Sequence, residues 1–154
     1  MQAESITPRL TLSHATIAVK DLETMVGFYC DVLGFHVTNR GSPGDGTELV
    51  FLCQDASQHH QIVLVGGMET PEHEFVMLDH MAFRTGDLGD LRVIGKSLAD
   101  AGIEGVIQIS HGNAWSLYFN DPEGNGLECF VDSPFHVAQP YADGFDLSAD
   151  DDAI

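Results

Sequence analysis

The sequence predicts an α+β protein built from two tandem βαβββ modules that pair into one curved mixed sheet. Three observations carry that reading. "SHATIAVKDL" (Ser13–Leu22) returns as "DHMAFRTGDL" (Asp79–Leu88), and the pairs His14/His80 and Asp21/Asp87 are both 66 positions apart (80 − 14 and 87 − 21). Each copy runs into a segment with helical spacing of apolar residues. Each of those segments is followed by three short strand candidates, so the two halves share one layout.

Along the first half, "DLETMVGFYCDVLG" places Leu22, Met25, Val26, Tyr29 and Leu33 near one stripe. Asp21 is its N-cap and Gly34 its C-terminal stop. The strands "FHVTNR", "TELVFLCQD" and "HHQIVLVG" follow, the first two separated by the turn-rich "GSPGDG" at 41–46. In the second half "DLGDLRVIGKSLADAG" repeats the helix, with Asp87 and Gly102 as its ends. Its strands are "EGVIQI", "AWSLYFN" and "GLECFVD", the last two joined by the tight turn at 121–126. Module one therefore spans about residues 10–66 and module two about 76–133, with Gly66–Glu74 as the link. After Asp132 the periodicity fades. The tail, 134–154, is expected to pack over the body or a neighbouring subunit, and the whole of 1–154 to form a single domain.

Composition excludes several functions. Six Lys and Arg against 24 Asp and Glu give a net charge of −18, which leaves no basic stripe for nucleic acid or an anionic membrane. No apolar run is long enough to span a bilayer, and no signal peptide is evident. Cys30, Cys53 and Cys129 form no metal-type pair, which suits a reducing compartment. A cytoplasmic protein is expected.

One residue does not fit a plain sheet. Glu128 sits between Leu127 and Cys129 in an otherwise apolar strand, and a buried carboxylate needs a cation, a metal or a shared proton. A pseudo-twofold between the halves brings His14 and His80 toward the centre, and the strand holding Glu128 borders the strand that follows His80. Alternation then gives one inner face: His14, Thr16 and Ala18; His80, Ala82 and Arg84; Gly126, Glu128 and Phe130. Two imidazoles and one carboxylate on that face make a three-ligand divalent metal site with open positions.

With these residues the chain resembles the vicinal oxygen chelate superfamily, which includes glyoxalases, fosfomycin and bleomycin resistance proteins, and extradiol ring-cleavage dioxygenases. The likeness covers roughly residues 10–133 and rests on "SHATIAVKDLETMVGFYCDVLGF", "LDHMAFRTGDL" and, most specifically, "YFNDPEGNGLECF". It implies that His14, His80 and Glu128 hold the metal. Glyoxalase-type sites carry a fourth ligand, a Glu, on the last strand of the first half; here Val63 stands there, within Ile62-Val63-Leu64-Val65. That substitution opens a coordination position and favours the extradiol branch.

The same branch implies three further roles. His60, in "HHQIVLVG", resembles a second-sphere acid/base, with His59 beside it as the alternative. Tyr118, ten residues before Glu128, falls on the active-site tyrosine, and His111 resembles a third second-sphere residue, though its spacing to Tyr118 is two residues shorter than in larger members. Fe(II), or Mn(II) in its place, a catechol-type substrate, dioxygen and a homodimer follow from the resemblance. Two other readings stay open: a different metal-dependent enzyme of the superfamily (an isomerase, lyase or transferase), or a non-enzymatic small-molecule binding or resistance protein. Trp115, Phe119 and Phe135 are candidates for the pocket wall, and His36, His73 and His136 read as surface or rim residues.

Overall fold

The two repeats fold into two sheets that share one core. The structure is a computed structural model and describes residues 11–67 and 78–154; His73 and most of the link between the halves lie outside the described residues. The first half gives β1 (Ala15–Ala18), α1 (Leu22–Gly27), β2 (His36–Gly41), β3 (Glu48–Cys53) and β4 (Ile62–Gly66). The second gives β5 (Met81–Arg84), α2 (Leu88–Asp100), β6 (Ile107–Ser110), β7 (Ala114–Asn120) and β8 (Gly126–Asp132). The order β1-β4-β3-β2 is matched by β5-β8-β7-β6, with β1 parallel to β4 and β5 parallel to β8.

The caps lie where local chemistry puts them. Asp21 accepts from the Thr24 N–H at 3.0 Å and Asp87 from the Asp90 N–H at 2.8 Å, each satisfying an orphan donor of a first turn. The first helical stretch is less regular than its spacing predicts. After α1 the chain widens into a π-helical turn, Phe28–Val32, which keeps Tyr29 fully buried before Gly34 ends the segment.

Alternation sorts each strand into two faces. Ile17 and Val19, with Leu127, Cys129 and Val131, pack into one cluster with Met25, Tyr29, Leu91 and Leu98 from the helical segments. Side chains of this size each contribute about 1.5–3 kcal/mol when buried. Thr16, Ala18 and Ala82 point the other way and are exposed, so the opposite face is an open concavity rather than a second core. β1 and β5 are edge strands of separate sheets, and among the described residues no backbone pairing joins them.

Contacts between the halves come from the core and from one turn. Phe35 meets Phe83 edge-on at 5.7 Å between ring centroids. Asp121, 4% exposed, accepts the N–H groups of Glu123 and Asn125 and so scaffolds its own turn. That turn presents the Glu123 carboxylate to the backbone N–H groups of Lys20 and Asp21, at 2.8 and 2.7 Å, just ahead of α1. The Asp-Pro-Glu-Gly-Asn-Gly stretch thus clamps the second half onto the first.

The tail packs back on the body, as expected, and adds a strand the sequence does not announce. β9 (Asp143–Gly144) pairs with β6, and Leu147 enters the core at 6% exposure. Arg92 of α2 donates to the carbonyls of Leu147 and Ala149 and pairs with Asp151.

Candidate metal centre

Glu128 lies in mid β8, in register with Ala82 of β5 on one side and Tyr118 of β7 on the other. The three share a sheet face, which settles the side to which Tyr118 points. Glu128 is 8% exposed; its Oε1 accepts from Ser116 Oγ at 2.6 Å, and its Oε2 lies 3.1 Å from His80 Nε2.

His80 is held from its far side. Its Nδ1 is 2.6 Å from Oδ2 of Asp79. A carboxylate only accepts, so Nδ1 carries a proton toward Asp79, and Nε2 facing Glu128 calls for either a second proton or a cation. A lone pair facing a carboxylate is repulsive unless a proton or a cation stands between them. Ligands about 2.1 Å from an octahedral divalent ion sit ~3 Å apart when adjacent, the spacing this pair shows. The donor chemistry of His80 and Glu128 therefore fits a divalent metal. Gly126 makes the arrangement possible, because a Cβ there would run into the Asp79 carbonyl and keep the His80 backbone off β8.

Tyr118 and His111 complete this wall. The Tyr118 ring meets His80 edge-on at 5.3 Å, and its hydroxyl is 3.0 Å from His111 Nε2. Burial, and after it the neighbouring Glu128 carboxylate, push the Tyr118 phenol up to about 12, so at neutral pH it keeps its proton as a donor.

The other wall carries His14 and His60. Their rings are 4.5 Å apart, and His60 also packs on Phe51 at 5.2 Å. Its pKa is held below the ordinary histidine value by burial first, then by His14 and His59, which favours the neutral ring. His60 is half-buried and His59 exposed; their Nδ1 atoms face each other at 2.8 Å, which leaves His60 Nε2 as the nitrogen open to a ligand. Val63 is 5% exposed and in register with Thr16 and Phe51, so it shares the face that carries these rings.

A cleft of about 550 Å³ lies between β1 and β5, and of the site residues His14 and His80 line it. The structure brings His80, Glu128, Tyr118 and His111 together, and separately His14 with His60. It does not gather His14 with His80 and Glu128: among the described residues, no three His, Cys, Asp or Glu side chains converge closely enough to hold an ion together. The gap has a structural reason, since β1 and β5 are unpaired edges.

Two expectations about the pocket wall are corrected. Trp115 and Phe119 lie on the core face of β7, 8% and 4% exposed, because they alternate with Ser116 and Tyr118. Phe135 packs edge-on against Trp115 at 6.3 Å. His36 and His136 are exposed, while His73 falls outside the described residues. Ser116 and Asp79 were not legible as site residues. The first signals itself only as a small polar residue two before Tyr118, and the second as a carboxylate beside a candidate ligand.

Residues 11–129 match the Glyoxalase/Bleomycin resistance protein/Dioxygenase superfamily. The chain belongs to that superfamily. Among curated proteins it is 37% identical over 133 residues to biphenyl-2,3-diol 1,2-dioxygenase 3 of Rhodococcus globerulus, covering 84% of this chain and 66% of that one. It is 32% identical over 131 residues to catechol-2,3-dioxygenase of Bacillus subtilis (strain 168), covering 80% and 42%. The superfamily chain described here thus spans less than two thirds of the length of these relatives. A solved glyoxylase/bleomycin resistance protein/dioxygenase domain from Frankia sp. EAN1pec superposes with a TM-score of 0.71 at 26% identity, covering 84% of this chain and 96% of that one. Among the described residues, no helix is long and apolar enough to cross a membrane.

Proposed function

We propose that this protein is a metal-dependent extradiol-type dioxygenase that opens a catecholic ring with dioxygen. The observation that carries the reading is the Tyr118–His111 pair placed on the same face as His80 and Glu128, because a bare binding cup has no use for a proton-holding pair beside its ligands. The ring-cleaving relatives at 32–37% identity support it.

In this reading His80 and Glu128 would hold the metal from one side, with His14 as the third ligand. Fe(II) held there, or Mn(II) on the same ligands, would supply Lewis acidity toward the catechol and an electron path to dioxygen. Tyr118, whose own hydrogen is held by His111 Nε2, accepts a hydrogen bond from a substrate hydroxyl and fixes the ring's orientation. His60, neutral and open at Nε2, takes up a proton that the catechol releases and returns it as the ring opens. Ser116 and Asp79 orient Glu128 and His80, as outer partners of metal ligands do.

Anaerobic loading with Fe(II), followed by oxygen uptake with a panel of catechols, tests the reading. Stoichiometric iron, oxygen consumption and a yellow ring-opened product are expected. Iron binding without oxygen uptake would point to another metal-dependent member of the superfamily, and no metal at all to a binding protein. Val63→Glu probes the fourth position. It should tighten divalent metal binding and suppress oxygen uptake by filling an open site, and if neither changes, Val63 does not stand beside the metal.

A further inference from the structure

The C-terminal tail reaches the site at His111. His111 Nδ1 lies 2.9 Å from the carbonyl oxygen of Tyr141. A carbonyl can only accept, so Nδ1 carries a hydrogen; in the neutral ring Nε2 is then bare and can only accept. Nε2 is the atom 3.0 Å from the Tyr118 hydroxyl. The tail carbonyl therefore decides which way the Tyr118–His111 hydrogen bond runs.

The tail is pinned where this matters. The Gln139 amide nitrogen donates to the His111 carbonyl at 2.7 Å and to Asn113 Oδ1 at 3.1 Å, and its oxygen accepts from the Tyr141 N–H at 3.1 Å. One side chain thus binds both the backbone of His111 and the backbone N–H of the residue whose carbonyl meets the ring. Gly112 leaves room for the segment, since a Cβ there would collide with Val137 and come within 3.4 Å of Tyr141. Beyond Tyr141 the chain is fixed again by β9 on β6 and by Leu147, whose N–H donates to Gln108 Oε1 at 2.7 Å.

We propose that Val137–Gly144 is a positioning strap for the second sphere. Gln139 holds the Tyr141 carbonyl on His111 Nδ1, which selects the Nδ1–H tautomer and makes Nε2 the acceptor for the Tyr118 hydroxyl. Gln139 is a positioning residue acting through His111. Its effect on turnover rests on the dioxygenase reading above, whereas its effect on the tautomer does not.

The test uses the full-length, metal-free, ¹⁵N-labelled protein at a pH where the ring is neutral, with long-range ¹H–¹⁵N correlation reporting the His111 tautomer. Wild type should show Nδ1–H. Gln139→Met keeps the volume and removes the amide, and should move His111 toward Nε2–H or a mixture. Tyr141→Phe keeps the carbonyl and should leave the tautomer as it was. An Nε2–H tautomer in wild type overturns the proposal, as does unchanged Nδ1–H in a folded Gln139→Met protein. Should Gln139→Met not fold, the wild-type spectrum still decides. On the iron-loaded enzyme, kcat of Gln139→Met should fall roughly 10- to 100-fold with metal content unchanged. A tautomer shift with no ring cleavage in either protein upholds the strap and defeats the dioxygenase reading; ring cleavage with no tautomer shift does the reverse.

Discussion

Glu128→Gln is expected to lower divalent metal affinity by more than about 100-fold, because loss of an outer partner of a metal ligand already costs roughly 10- to 100-fold and Glu128 is proposed as a ligand itself. The substitution is nearly isosteric, and the amide oxygen can still accept from Ser116, which donates to Glu128 Oε1 at 2.6 Å. Folding should survive. The metal-free variant should melt no lower than wild type, since it no longer buries a carboxylate that is 8% exposed and lacks its cation. Added metal should raise the melting temperature of wild type by mass action and leave that of the variant unmoved. Metal content after anaerobic Fe(II) loading, with thermal melts in parallel, measures both effects. Equal metal occupancy in the two proteins removes Glu128 from the ligand set.

The second large effect concerns His60. Its ring stands 4.5 Å from that of His14 but outside the ligand set, with Nε2 free and the neutral form favoured. His60→Gln should leave metal loading and anaerobic catechol binding close to wild type, while ring cleavage falls by about 10²–10⁴-fold, the usual worth of a positioned proton carrier. His59→Gln is the internal control, because His59 is exposed and packs on Phe51 at 5.3 Å. The measurements are catechol titration by visible absorbance without oxygen, then product formation with it at matched metal content. Equal cleavage rates in wild type and His60→Gln would sink the role, and a loss confined to His59→Gln would move it by one residue.

Much of this is legible in the sequence, and particular residues show why. The 66-residue repeat placed His14 and His80 at matched positions, because equivalent sequence builds equivalent strands. Asp21 and Asp87 announced two helix starts, and capping is local chemistry that a sequence displays directly. Glu128 declared itself through cost, as a carboxylate in an apolar strand must find a partner. The π-helical turn at Phe28–Val32 was not legible, since the same apolar stripe serves an α-helix, and only packing of Tyr29 and Phe28 into the core selects the wider turn.

By itself the sequence determined the α+β class, the paired modules, the cap residues and the candidate ligands, all of which follow from short-range periodicity and the cost of burying charge. Only the tertiary structure decided what depends on register and on distant segments. Strand pairing put Tyr118 opposite Glu128 and sent Trp115 and Phe119 to the core, since one step along a strand reverses the face. Chain folding brought Tyr141 to His111 and Asp79 against His80, contacts with no periodic signature. It also left His14 apart from His80 and Glu128, because among the described residues β1 and β5 end their sheets without pairing, and no local pattern encodes the distance between two such edges.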